Sequence, residues 1–121
     1  MRVMMMIKGD REPGHLPSEG LLAAMGKYNE ELSKSGVLVD LAALHWSAEG
    51  VRVRFASGER TVSRGPFGEP NETVAGYWVL QVKSMDEAVE WAKRVPFEAG
   101  GEPEAEVEVE IRQLFEPEEL G

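Results

Sequence analysis

Cysteine is absent from the 121 residues, which removes disulfides, thiolate metal sites and cysteine nucleophiles together and leaves stability to the packed core. No apolar run approaches the ~20 residues that a membrane span needs. Met1 to Lys8 (MRVMMMIK) is apolar and carries Arg2, but it is too short for a signal h-region and lacks a small-residue cleavage site. It reads as a first strand, and the expected compartment is the cytoplasm. With two histidines in the chain, HxxxH and HExxH patterns are missing. So is any Gly-rich phosphate loop of Rossmann or Walker type, and neither a metal nor a nucleotide cofactor is expected. Basic stripes are also lacking. Nucleic acid and anionic membrane surfaces both call for clustered Lys and Arg, so neither is an expected partner.

What is present is acid, unevenly placed. The net charge is −9, yet Glu98 to Gly121 alone holds nine Glu and one Arg, whereas residues 1–97 are nearly neutral. With 42% hydrophobic and 29% charged residues, the composition is that of a globular chain, and its length suits one domain over residues 1–121.

Val3, Met5 and Ile7 alternate with Met4 and Met6, and both sets are apolar, so this strand is expected to be central and covered on both faces. Gly9 to Pro17 reads as a loop. Ser18 caps a helix over Glu19 to Ser35, with Leu21, Leu22, Met25, Tyr28 and Leu32 at helical spacing and Gly36 closing it. Val37 to Ala43 is a second strand. Val51, Val53 and Phe55 alternate with Arg52 and Arg54, and Ser57-Gly58 turns the chain into Glu59 to Arg64, which predicts a hairpin. Two Gly and two Pro between Gly65 and Glu72 preclude a helix there. Val74 to Val82 is a second strand apolar on both faces. Ser84 and Glu87 form a capping box in which the Glu side chain returns to the Ser84 N–H. The helix after it buries Ala88, Val89, Ala92 and Val95 and stops at Pro96. Val107, Val109 and Ile111 alternate with Glu106, Glu108 and Glu110 in a last strand, whose acids suit a guarded edge.

The order is a ferredoxin-like βαββαβ core, of the α+β class, with a hairpin inserted before its third strand. Two helices cover one face of such a sheet, so Met4, Met6 and alternate residues of Val74 to Val82 need another cover. A homodimer through the open sheet face is the simplest supplier.

Three stretches resemble the YCII-related family, in its branch named for a DGPF motif: Ile7-Lys8-Gly9-Asp10, Gly36-Val37-Leu38, and Arg64-Gly65-Pro66-Phe67-Gly68-Glu69 with Glu72 and Gly76-Tyr77-Trp78 following. The resemblance implies a dimeric α+β barrel in the cytoplasm, with a cleft of mostly unassigned purpose. The family's motif Asp is Arg64 here, and its Leu-X-Pro-Ser after strand two is Leu44-His45-Trp46-Ser47. A His–Asp pair proposed as catalytic in the wider group would fall on Gly20 or Leu21 and on Lys34.

Asp40, His45, Arg64, Phe67 and Glu69 are the candidate pocket residues; no catalytic residue is assigned. His45 follows a strand carrying Asp40, and a carboxylate nearby is how a general base is commonly oriented; the plainer reading is a loop His beside Trp46. His15 reads as a solvated loop residue. Asp40 belongs either to a cleft or to a subunit contact, with the cleft favoured. Arg52, Arg54, Arg60 and Arg64 concentrate on one hairpin, where they hold a small anionic ligand or bridge to the Glu face of the last strand, on this chain or its partner; Arg64 is expected at the cleft mouth. Phe67 either lids a ligand or plugs the core under a rigid Gly-Pro turn, the latter being the more ordinary use. Trp46, Trp78 and Trp91 read as core or interface, and the Glu face as solvated. Two function classes follow: a small-molecule site of the dimeric α+β barrel type, with acid–base chemistry such as isomerisation or elimination if it reacts at all, or a non-catalytic ligand-sensing or accessory module in transcriptional regulation.

Overall fold

The computed structural model describes residues 1–11, 13–100 and 106–121; Glu12 of the first loop and Glu102 and Glu104 of the acidic segment lie outside them. Strand β1 (Arg2–Lys8) is followed by helix α1 (Glu19–Lys34), strand β2 (Leu38–Ala43), the hairpin β3 (Val51–Ala56) and β4 (Glu59–Arg64), strand β5 (Val74–Gln81), helix α2 (Met85–Lys93) and strand β6 (Glu108–Gln113). The core is a four-stranded antiparallel sheet in the order β2-β5-β1-β6, and β3–β4 form a separate two-stranded ribbon. This is the ferredoxin-like arrangement. The two strands apolar on both faces are the central ones.

Register explains the layers. Val3 pairs with Leu80, Met5 with both Trp78 and Ile111, and Ile7 with Gly76 and Val109, which sets one continuous apolar face under the helices. Val3, Met5, Leu32 and Leu80 are fully buried in that layer. Tyr28 fixes α1 across it: its ring meets Trp78 edge-on at 5.5 Å and its hydroxyl donates to the Trp91 carbonyl at 2.7 Å. Burial pushes the Tyr28 phenol up to about 12. Met4 and Met6 belong to the opposite face, are part-exposed and take no part in the buried cluster under the helices.

The helix caps form as the sequence predicts, with one difference. Ser18 accepts from the Leu21 N–H at 3.2 Å, and Ser84 from the Glu87 N–H at 3.1 Å. The Glu87 carboxylate, however, accepts from the Lys83 N–H at 2.9 Å rather than from Ser84, since Ser84 is extended there (φ −156°) and the preceding amide is the one facing the helix start. Val95 is buried although it lies beyond α2, and β6 runs two residues further than the alternation of Val107 to Ile111 suggests. Within the chain the Glu face does not meet the hairpin arginines: Glu110 lies 4.0 Å from the Lys8 ammonium and 3.5 Å from the Arg112 guanidinium. The cause is placement, because β6 forms the edge beyond β1 and the hairpin leaves the sheet from β2, at the other edge.

Candidate functional site

Three loops meet at the end of the sheet where β1 stops, and a single carboxylate ties them. One Asp10 oxygen accepts from the Ser47 N–H at 3.0 Å and from the Arg11 N–H at 2.9 Å, while the Ser47 hydroxyl donates to the other oxygen. The same Ser47 oxygen accepts from the Phe67 N–H at 3.3 Å. Behind this, the buried Thr73 hydroxyl lies 2.8 Å from both the Gly9 and Pro70 carbonyls, and the Gly9 N–H donates to the Thr73 carbonyl. The approach is close enough to dictate a residue type: a Cβ on Gly65 would lie 1.7 Å from the Ser47 carbonyl oxygen. No other side chain fits there without moving the backbone.

The Ser47 hydroxyl, with the Ser47 N–H and then the Arg11 N–H, holds the Asp10 carboxyl below its ordinary value against a smaller opposing effect of burial. Asp10 thus accepts three hydrogen bonds, which favour its ionised form and join the loops on either side.

Those loops border an open cleft of about 1620 Å³. Its floor is Gly76, which has no side chain and sits between its register partners Ile7 and Ala43. One wall is α1, through Leu21, Met25 and Asn29, and Asn29 is held by the Trp78 indole N–H at 2.8 Å. Asp10, Arg11, His15 and Glu69 also line the cleft. Gly26 also lines this cleft, in mid-helix, where a Cβ would meet nothing within 4 Å. A second, smaller hollow of about 330 Å³ lies on the far side of Ser47, lined by His45, Glu49, Arg52 and Phe67 among others.

The five residues singled out from sequence are spread over these places. Glu69 lines the large cleft; His45 and Phe67 line the small hollow. Asp40 and Arg64 line neither. Asp40 lies on the open sheet face, accepting from its neighbour's Leu41 N–H and from the Tyr77 hydroxyl at 3.4 Å. Arg64 pairs in register with Val51 at the foot of the hairpin and is exposed. The carboxylate that meets His45 is Glu49, at 2.6 Å from Nδ1, not Asp40; one turn of chain brings Glu49 to the imidazole, whereas Asp40 points into the opposite sheet face. Phe67 does not plug the core. It is part-buried beneath the Arg52 guanidinium, 4.1 Å from its ring centre, and against Gly50. The sequence does not mark Asp10 and Ser47 as a pair, because 37 residues separate them and nothing local signals the contact. Among the described residues no group of three His, Asp or Glu side chains is placed to hold a metal ion.

The sequence profile of the YCII-related domain matches residues 1–112. The chain belongs to the YCII-related family. It is also 33% identical over 73 residues to an uncharacterized protein of Rhizobium meliloti (strain 1021), a stretch covering 60% of this chain and 56% of the relative. The chain thus spans a little over half of that relative's length. In this YCII-related chain the Gly9-Asp10 step, Ser47 and Gly65-Pro66-Phe67 are the three pieces of one hydrogen-bonded junction beside the cleft.

Proposed function

We propose that this YCII-related protein binds a small amphipathic organic acid in the cleft between α1 and the β2 side of the sheet. The observation that carries the reading is the cleft's construction: an apolar floor and wall around Gly76, and a mouth fixed by the Asp10–Ser47 junction and bearing Arg11 and His15. Apolar lining with a few placed polar groups is the usual make-up of a small-molecule site. Arg11 and His15 have no carboxylate within ion-pair distance among the described residues, which suits an acidic head group, and Leu21, Met25 and Leu41 offer apolar lining for its body. Binding is favoured over catalysis because the carboxylate beside this cleft already accepts three hydrogen bonds from the chain itself.

The test is a thermal-shift and NMR screen of small aromatic and aliphatic carboxylates on the intact chain. Gly26→Trp is the cleft-filling variant and Arg64→Asp the comparison away from the cleft. Binders should shift the wild type and Arg64→Asp alike and lose their effect on Gly26→Trp. Equal binding to Gly26→Trp would place the site elsewhere. Each binder is then incubated with protein and followed for turnover, and conversion would return the reading to an enzyme.

A homodimer through the open sheet face accompanies this reading. Met4, Met6 and Tyr77 are part-exposed on that face, where Met6 pairs with Tyr77 and Met4 with Val79. A face of this size left to water is uncommon on a monomer.

A further inference from the structure

All twelve strand residues of the β3–β4 hairpin are exposed, and a lone two-stranded ribbon is at best marginally stable in water. Its two faces differ. Register places Val51 opposite Arg64, Val53 opposite Val62 and Phe55 opposite Arg60, so one face is an apolar strip with an arginine at its foot and another at its tip. Phe55 is 68% and Val62 59% exposed, and the Arg60 guanidinium lies 5.1 Å from the Phe55 ring centre. The other face carries Arg52, Arg54, Thr61 and Ser63. None of the four hairpin arginines is within ion-pair distance of a carboxylate among the described residues.

The complementary surface lies on the same chain, at the far end of the sheet. Glu106 to Gly121 holds six Glu and one Arg, and its end exposes Phe115, just before the last turn Pro117–Leu120, and Leu120 within it at 71% each, beside Glu116, Glu118 and Glu119. The Leu114 N–H donates to the Arg2 carbonyl and Arg2 pairs with Glu116 at 3.3 Å, which fixes this segment where β1 begins. The hairpin's foot is fixed where β1 ends, by the Gly65 N–H to the Gly50 carbonyl at 2.9 Å and by Gly65 against Ser47. Seven strand residues, roughly 20 Å at ~3.3 Å each, separate the two ends.

We propose that the hairpin of one copy clasps the Glu-rich C-terminal segment of a second copy, Phe55 and Val62 packing on Phe115 and Leu120 while Arg60 and Arg64 meet Glu118 and Glu119. A two-fold axis lying between two face-to-face sheets and running diagonally to their strands brings the β2-side corner at the β1-end of one copy over the β6-side corner at the β1-start of the other, and makes the contact twice. The inference rests on the homodimer proposed above and adds to it the element that fixes its direction. Opposite charge and exposed apolar groups on both surfaces are what such an interface needs.

The chain has no cysteine, so two introduced ones are unique. Phe55→Cys and Leu120→Cys proteins, mixed and treated with a short bismaleimide, should give a product of twice the chain mass, and neither protein alone should do so to the same extent. Arg60→Glu with Arg64→Glu should weaken self-association by about tenfold or more at low salt and less at high salt. Adding Glu118→Arg and Glu119→Arg should recover most of it. Light scattering runs alongside. A wild-type monomer overturns both this proposal and the homodimer. A dimer that does not cross-link in the mixture and is indifferent to the arginine reversals overturns the clasp alone. Because the hairpin touches none of the buried core, circular dichroism should be unchanged in every variant, and a variant that unfolds is replaced by Phe55→Ser, which should also dissociate the dimer.

Discussion

At the scale of single residues, Ser47 does more than its ordinary side chain suggests. Its hydroxyl donates a hydrogen bond to Asp10 and accepts one from the Phe67 N–H, so one oxygen joins the loop after β1 to the loop before β5. Ser47→Ala removes a donor from an ionised carboxylate and an acceptor from a backbone amide. Hydrogen bonds to charged groups are worth about 1.5–3 kcal/mol in the interior, and Asp10 is only part-buried, so a loss of about 1–2 kcal/mol is expected in urea unfolding. The sign of the pH effect follows from the direction of the shift. Asp10 is held below its ordinary value in the folded chain; its contribution is present above the unfolded carboxyl pKa and is lost as pH falls through the folded one. Wild type should therefore lose stability steeply on acidification below about pH 4, and Ser47→Ala should lose less over the same interval. Carboxyl-carbon NMR titration of Asp10 should move upward in the variant; an unmoved Asp10 would mean that the hydroxyl is not what holds it.

At the scale of elements, most of the frame was legible. Both helix starts are marked by a serine whose side chain caps the first turn, and the hairpin by Ser57-Gly58, which adopt φ of 51° and 79° as such a turn demands. β1 and β5 declared themselves central by being apolar on both faces. The ends of β6 and α2 were less clear, because pairing with β1 and the cap at Arg94 set them, and neither is a local pattern. The site was legible only in pieces: Gly65, Pro66 and Phe67 stood out, yet their partner Ser47 lies some 20 residues upstream, and the joining of three loops is a tertiary fact. Gly26 is the remaining anomaly of an element. Glycine inside a helix costs about 1 kcal/mol relative to alanine, and here no neighbour within 4 Å requires it. Gly26→Ala should raise stability by about that amount in thermal or urea unfolding. If binding of the cleft's ligand falls in the same variant, the glycine is retained for the width of the cleft, and if binding is unchanged the cleft extends less far along α1 than its outline indicates.

At the scale of the whole molecule, the sheet has one face packed by two helices and one face unpartnered, and no helix among the described residues is long and apolar enough to cross a membrane. The open face carries methionines at the two middle positions of β1, which adapt readily to a second surface. If two copies bury that face against each other, folding and association are linked, and stability depends on concentration by mass action. The melting temperature of the wild type should then rise as protein concentration increases from the low micromolar range. Met6→Glu places a carboxylate in the middle of the face without touching the layer beneath the helices, where Met5 and Ile7 lie. Burying that charge unpaired is costly, so the variant should run as a monomer in light scattering, and its melting temperature should no longer depend on concentration. Its far-ultraviolet circular dichroism should match the wild type, because the four core strands and both helices keep their own contacts. A Met6→Glu protein that remains dimeric, with the concentration dependence intact, would show that the copies meet through another surface and leave the open face to a different partner.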